Sequence, residues 1–291
     1  MPPRSKAVSF LLPNTCSDMQ LIHTVAELRQ ALAGENDTAL VPTMGNLHAG
    51  HISLVEKAKA VGGPVVTSIF VNPLQFGPKE DFQCYPRTLN DDCAKLEDAG
   101  CHFVFAPSLQ EMYPEAQSFQ VLPPLADELC GAFRPGHFQG VCTVVLKLFG
   151  IVQPRFAVFG KKDYQQLFLL KGMVRQFNLG IQILEGEIMR ANDGLALSSR
   201  NAYLSDSDRA EAPRLYAELN HIAEALRSGN RHFSDVEAEG VSQLEQHGWQ
   251  VDYISVRSRH SLLPPTRGER DLIVLGAAHL GGTRLIDNIE A

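Results

Sequence analysis

Two histidines three residues apart, His48 and His51, stand in the stretch Pro42-Thr43-Met44-Gly45-Asn46-Leu47-His48-Ala49-Gly50-His51. Residues 38–41 before it are short, apolar and closed by Pro42, which predicts a buried strand. Residues 52–61 behind it carry Leu54, Val55, Ala58 and Val61 at helical spacing. The stretch therefore reads as a strand, a loop and a helix start. Gly45 and Gly50 let the backbone come close to a ligand, and the unpaired N–H groups and dipole of a first helical turn favour negative charge. Both histidine rings would lie on one side of that turn, where each can donate a hydrogen bond to a phosphate oxygen. Taken singly, either histidine is explained as well by a helix cap or a packed side chain; the phosphate reading rests on the longer string.

Three later segments offer polar groups at predicted strand ends. After the run 65–71 comes Asn72-Pro73-Leu74-Gln75, which presents a neutral amide; alone, Gln75 also suits a solvated loop. After 156–159 comes Gly160-Lys161-Lys162-Asp163-Tyr164-Gln165-Gln166. Positive charge is disfavoured at a helix start unless an anion compensates it, so Lys162 suggests a phosphate, and Asp163 suits a ribose hydroxyl or a metal-bound water. The loop 188–201 holds Met189, Leu197, Ser198, Ser199 and Arg200, whose hydroxyls and guanidinium can bind phosphate oxygens. A serine cap and an Arg200 ion pair would account for the same residues.

The elements that must position these groups alternate. Helical patterns at 25–32, 52–61, 90–99, 141–152 and 165–178 separate apolar strands at 38–41, 65–71, 102–106, 156–159 and 181–188. The β-branched run 65–71 implies a strand covered on both faces, hence a parallel sheet. The fold class predicted is α/β: a Rossmann-like doubly wound parallel sheet, with ligands at the strands' carboxyl ends, and a smaller α+β C-terminal domain. That second part is read as helices at 205–228 and 234–247 and strands at 251–256 and 272–277. Expected domain limits are an extension 1–18, a disordered tail or weak targeting segment preceding an alternative start at Met19, then 19–187 and 188–291. Neither G-x-G-x-x-G nor G-x-x-x-x-G-K-[ST] is present, so dinucleotide redox and P-loop chemistry lack support.

Composition narrows the class. The 291 residues are 44% hydrophobic and 20% charged, as in an ordinary globular protein of more than minimal size. A net charge of -7 speaks against a nucleic-acid partner, which would need a basic face. The six cysteines show no zinc-site spacing and read as reduced thiols of a cytoplasmic protein. With no run of 18 apolar residues, no membrane partner is expected.

The string Pro42 to His51 resembles the pantothenate synthetase (pantoate–β-alanine ligase) family of the nucleotidyltransferase superfamily with paired histidines. Five further collinear blocks extend the resemblance over nearly the whole chain from about Met19: 69–76, Tyr85-Pro86-Arg87-Thr88, Arg134-Pro135-Gly136-His137-Phe138, 159–166 and 193–201. The resemblance implies ATP as substrate with Mg²⁺, a pantoyl adenylate intermediate, β-alanine as acceptor, and a homodimer. It implies that Met44, Gly45, Asn46, Leu47, His48, Ala49, Gly50 and His51 line ATP, with His51 a proton donor. Gly160, Lys161, Lys162, Asp163, Met189 through its backbone, Leu197, Ser198, Ser199 and Arg200 would share that nucleotide, with Lys162, Ser198, Ser199 and Arg200 on the phosphates. Gln75 and Gln166 match its pantoate-binding glutamines, Pro42, Met44, Val144 and Val145 its apolar walls, and Asp91 and Asp92 acidic positions near the metal.

Two positions depart from the family's pattern: Lys161 where an acid is usual, and Cys130 before Gly131 where an acid is frequent. The second bears on any ion pair organising Arg200 or His137, although activity is expected to survive both. Competing readings are a transferase moving AMP or CMP onto a phosphate ester, which would not need Gln75 and Gln166, and a nucleotide-binding protein without turnover. An aminoacyl-tRNA synthetase would need a basic tRNA face and an anticodon domain.

Overall fold

The computed structural model describes residues 19–78 and 80–291, so the expectations for 1–18 lie outside the described residues. In chain order the first part contains β1 (Gln20–Ile22), α1 (Val25–Ala31), β2 (Ala39–Thr43), α2 (Ala49–Lys59), β3 (Val65–Ile69), α3 (Leu89–Asp98) and β4 (Phe103–Phe105). It continues with α4 (Leu109–Met112), α5 (Cys130–Phe133), α6 (His137–Val152), β5 (Phe156–Gly160), α7 (Tyr164–Gln176) and β6 (Gln182–Gly186). Then follow α8 (Asp206–Glu211), α9 (Arg214–Arg227), α10 (Phe233–Gln246), β7 (Gln250–Ser258), β8 (Leu272–Leu280) and β9 (Thr283–Glu290).

β1 to β6 form one parallel sheet in the order β1-β4-β3-β2-β5-β6. Its strands read as continuous apolar runs because each face is covered by a different set of helices. Ala39, Val41, Val65, Val104 and Val158 pack with Leu54, Val55 and Ala58 of α2 and Leu96 of α3. Their neighbours Leu40, Val66, Phe105, Ala157 and Phe159 pack on the other face with Leu28 of α1, with α6 and with α7. Successive side chains alternate between the two cores, as the strand period of two requires. The strand order reverses between β2 and β5, which opens a crevice at their carboxyl ends.

The three remaining strands form an antiparallel sheet, β7-β8-β9. One face packs on Leu215, Leu219, Ile222 and Leu226 of α9 and on Val236 and Leu244 of α10. The other presents Ile273 and Leu275 to Leu129 and to Tyr164 of α7, so β8 is buried on both sides and the two sheets share a core. The stretch 205–228, predicted as one helix, is two: α8 ends before Pro213, which lacks the N–H needed to continue it and starts α9 instead. Helix α6 begins at His137, four residues earlier than the apolar pattern suggested, and twelve of its sixteen residues are buried. That helix is a core element of its own chain.

Candidate active site

The loop after β2 is clamped from beneath. Asp92, fully buried near the start of α3, accepts from the N–H groups of Asn46 (2.8 Å) and Leu47 (2.7 Å) and from the Thr88 hydroxyl (3.1 Å). Lys95, a turn later, donates to the Leu47 carbonyl at 2.8 Å. Asn46 takes a left-handed conformation, φ 51°, that this clamp sustains.

Helix α2 then begins with His48 as its cap. The Nδ1 of His48 accepts from the N–H of Gly50 (3.1 Å), and the Nδ1 of His51 accepts from the N–H of His48 (3.3 Å). The ring centroids are 4.1 Å apart. A Cβ on Gly50 would lie 2.8 Å from Cε1 of His48, so only glycine lets the ring fold back over its own helix end. Burial lowers the pKa of His48 to about 4, helped by Lys162, and burial together with the His48 ring lowers that of His51 to about 3. Both rings are therefore neutral at pH 7, and with Nδ1 accepting, each carries its proton on Nε2. The cap thus uses one nitrogen of the His48 ring, and the other carries the proton.

Both rings line a cleft of about 240 Å³ at the carboxyl ends of β2, β3, β5 and β6. Of the run 44–51, Met44, His48, Gly50 and His51 line it; Gly45 and Leu47 are buried, Asn46 contributes a backbone carbonyl to the opposite loop, and Ala49 is exposed. Pro42, Val144 and Val145 add apolar wall.

Gln75 lines the cleft from a 3-10 turn, Pro73–Gln75, whose geometry is fixed from three sides. The Asn72 amide donates to Oε1 of Gln75 and to the Gly140 carbonyl, both at 3.2 Å, and Tyr113 donates to Asn72 at 2.9 Å. A Cβ on Gly140 would stand 2.2 Å from the Leu74 carbonyl oxygen, so α6 approaches this turn only through a glycine. His137 Nδ1–H donates to the Gln75 carbonyl (2.8 Å) and its Nε2 accepts from Arg134 (2.9 Å), which in turn pairs with Glu80 at 2.9 Å. Burial and Arg134 lower the His137 pKa to about 4, consistent with that acceptor role. Gln166 also lines the cleft; its neighbour Gln165 is buried and hydrogen-bonded to Leu125, Glu128 and Cys130.

Gly160, Lys162, Asp163, Met189, Leu197, Ser198, Ser199 and Arg200 line the remaining wall. The Ser198 hydroxyl caps the following turn at the N–H of Arg200 (3.3 Å), Ser199 donates to the Asn46 carbonyl (3.0 Å), and Arg200 forms a forked pair with Asp81 at 2.8 and 3.1 Å. The loop of Asn46 and the loop of Ser199, both expected on the nucleotide, thus touch each other directly. Beyond Arg200 the cleft continues into a second cavity of about 400 Å³ that reaches β9.

Several placements differ from the sequence expectations. Lys161 does not line the cleft: its ammonium meets Glu187 at 2.8 Å and Glu290 at 3.5 Å. Asp92 has its oxygens committed to backbone N–H groups, and Asp91 is exposed outside the cleft, so neither stands where the cleft would hold a metal. Cys130 does not touch Arg200 or His137; its sulfur lies 3.0 Å from the Tyr253 hydroxyl and 3.5 Å from Arg284. Those two site residues are organised instead by Asp81 and by Arg134 with Glu80. Glu80 and Asp81 carried no signal in the sequence, where they belong to a charged stretch that reads as a solvated loop.

The pattern of the pantoate-beta-alanine ligase family matches residues 20–290. Two pantothenate synthetases, from Methylobacillus flagellatus and Thiobacillus denitrificans, are each 59% identical to this chain, over 94% of it and 98% and 97% of their own lengths. The crystal structure of pantothenate synthetase from Thermus thermophilus is similar with a TM-score of 0.89 at 44% identity, covering 94% of this chain and 99% of that one. The pantoate-beta-alanine ligase of Francisella tularensis, complexed with beta-gamma ATP and beta-alanine, gives a TM-score of 0.79 at 33% identity over 94% and 97%.

Proposed function

The chain belongs to the pantoate–β-alanine ligase family, and we propose that it joins pantoate to β-alanine in two steps within this one cleft, using ATP. In the first, a pantoate carboxylate oxygen attacks the α-phosphorus of ATP, the bond to the β-phosphate breaks, and pyrophosphate leaves. In the second, the neutral amine of β-alanine attacks the carbonyl of the pantoyl adenylate, the C–N bond forms, AMP departs and the amine releases a proton. Pantothenate is the product.

The observation that carries this reading is the pairing of two kinds of wall. The same cleft is lined by the neutral amides Gln75 and Gln166 with apolar Pro42, Met44, Val144 and Val145, and by the donors His48, His51, Lys162, Ser198 and Arg200, while Ser199 gives its hydroxyl proton to the Asn46 carbonyl of the facing loop. An amide binds a carboxylate and a hydroxyl without forming an ion pair that would blunt the nucleophile, and the apolar wall suits pantoate's two methyl groups. The donors suit phosphate oxygens on which charge grows as pyrophosphate leaves, so catalysis rests on positioning and preorganised charge stabilisation. Met189 and Leu197, joined by a backbone hydrogen bond of 2.9 Å, are assigned to the nucleoside.

Mg²⁺ is proposed to arrive as the ATP complex. Such an ion would take most of its ligands from phosphate oxygens and water, and Asp163 on the cleft wall is the carboxylate that would hold one of those waters. The division near residue 188 makes the antiparallel part a cover that keeps water from the adenylate. A homodimer is proposed, with Phe119 and Leu122, 87% and 77% exposed, as apolar surface for a partner to cover. The reaction is assigned to the cytoplasm, which suits the five described cysteines, all unpaired; no described helix is long and apolar enough to cross a membrane.

The test is to incubate the protein with ATP and Mg²⁺, omitting pantoate or β-alanine in turn, and to measure AMP, pyrophosphate and pantothenate. Pantothenate and AMP appearing together only with both substrates supports the reading. Nucleotide binding with neither product overturns it in favour of a silent nucleotide-binding protein.

A further inference from the structure

The turn that carries Lys162 into the cleft, Lys161–Asp163, is held from the antiparallel sheet. Neither this turn nor the start of α7 behind it has a side-chain cap of its own. The carboxamide of Asn288 on β9, 3% exposed, donates one hydrogen bond to the Lys161 carbonyl (2.9 Å) and one to the Lys162 carbonyl (3.0 Å). Both donors of one amide are thereby spent on two consecutive carbonyls, which fixes the peptide plane between them. Asn288 is itself anchored: its N–H donates to Asp287 at 2.8 Å, and Asp287, 4% exposed, is paired with Arg190 at 2.9 Å. The guanidinium of Arg190 sits 3.9 Å from the centre of the Tyr216 ring. A polar group buried this deeply is costly unless satisfied, and here its satisfaction is spent on the backbone of one active-site turn.

We propose that Asn288 is a positioning residue for adenylate formation: by clamping the Lys161 and Lys162 carbonyls from β9 it aims the Lys162 ammonium at the triphosphate, although it touches no substrate itself. The proposal rests on the role given to Lys162 above. A lysine on a long flexible stem gains most from such a clamp, because a misplacement of about 1 Å at a catalytic group can cost about a hundredfold in rate. The antiparallel sheet then sets the geometry of a group rooted on the parallel one.

A double-mutant cycle tests this, read as pantoate-dependent pyrophosphate release in a single turnover without β-alanine. Asn288→Ala is expected to slow that step by about ten- to a hundredfold, with pantoate affinity close to that of the unsubstituted enzyme, when assayed well below a melting temperature that the two unpaired carbonyls will lower. In a Lys162→Ala background the same substitution is expected to cause no further loss, because a residue acting through Lys162 has nothing left to act on. A full additional loss in that background, or an Asn288→Ala enzyme at undiminished rate beside a slow Lys162→Ala enzyme, overturns the positioning role alone. A Lys162→Ala enzyme at undiminished rate overturns the role of Lys162 and the proposal with it. Asn288→Ser, neutral and able to donate to at most one of the two carbonyls, carries the same cycle if the alanine variant does not fold.

Discussion

The hydroxyl of Ser199 donates to the main-chain carbonyl of Asn46 at 3.0 Å, joining two loops 153 residues apart. Asn46 belongs to the loop that Asp92 clamps, so the Ser198–Arg200 segment is docked on a loop that is itself held in place. Ser199→Ala removes that dock while leaving the Ser198 cap and the Arg200–Asp81 pair in place. A net hydrogen bond is worth about 1 kcal/mol, so the KM for ATP is expected to rise about fivefold, with the KM for pantoate nearly unchanged. Steady-state kinetics with each substrate varied in turn checks this; equal rises in both constants would count against the dock.

His48 caps α2 through Nδ1 and, in the proposed function, donates to a phosphate through Nε2, and two substitutions separate these tasks. Asparagine is a good helix cap and its oxygen can accept from Gly50, so His48→Asn should fold with nearly the original melting temperature. It withdraws the Nε2–H from its place, and losing such a donor costs about a hundredfold or more in adenylation rate. His48→Ala loses the cap as well, a further cost of about 1 kcal/mol of stability. Thermal melts beside single-turnover rates decide; equal destabilisation by both variants would show that the ring caps nothing.

What the sequence made legible follows from how local each signal is. Pro42 closing a short apolar run, and the alternation that assigns Leu40 and Val41 to opposite cores, are near-neighbour properties, and the strand, loop and helix order around His48 follows from them. Pro213 was equally visible, yet the apolar pattern on either side of it concealed the break between α8 and α9. Pairings across the chain are a different matter. Arg200 meets Asp81 across 119 residues, and the same guanidinium could have met any acid, so only the folded geometry selects the partner. Lys161 and Lys162 are adjacent and chemically alike, and it is the turn between them that sends one to Glu187 and the other to the cleft.

Asp92 shows the same limit in a form that can be measured. The family resemblance put Asp92 at an acidic position near the metal, whereas its carboxylate serves two N–H groups 46 and 45 residues away. Asn at this position can accept with one oxygen only, and its NH₂ would face the other N–H. Asp92→Asn is expected to destabilise the protein by about 2 kcal/mol and to weaken ATP binding through a loosened loop. The dependence of activity on Mg²⁺ at fixed ATP should keep its midpoint. A midpoint shifted to much higher Mg²⁺ would return Asp92 to the metal.

Two partly buried histidines, His48 and His51, and the buried His137 fix the sign of a pH effect on stability. His48 and His137 titrate at about 4 and His51 at about 3 when folded, against an ordinary value of 6.5 for a chain in water. Between those limits the unfolded chain binds more protons than the folded one, so stability rises with pH across the interval. It is therefore complete above about 6.5 and drains away as the pH falls towards 4. Glu80, held low by Arg134, and Glu211, held low by Arg214, add their own losses only below their ordinary value of 4.5, which separates the two effects. Urea midpoints measured at intervals from pH 7.5 to 5 are expected to fall steadily below 6.5. His137→Gln should flatten that slope, since the amide can still donate to the Gln75 carbonyl but takes up no proton. Midpoints that stay level through this range would mean that the folded and unfolded chains bind protons alike, and the lowered values of His48, His51 and His137 would fall; midpoints that rise as the pH drops would mean the rings are charged when folded, and the neutral Nε2 donors assigned to His48 and His51 would fall with them.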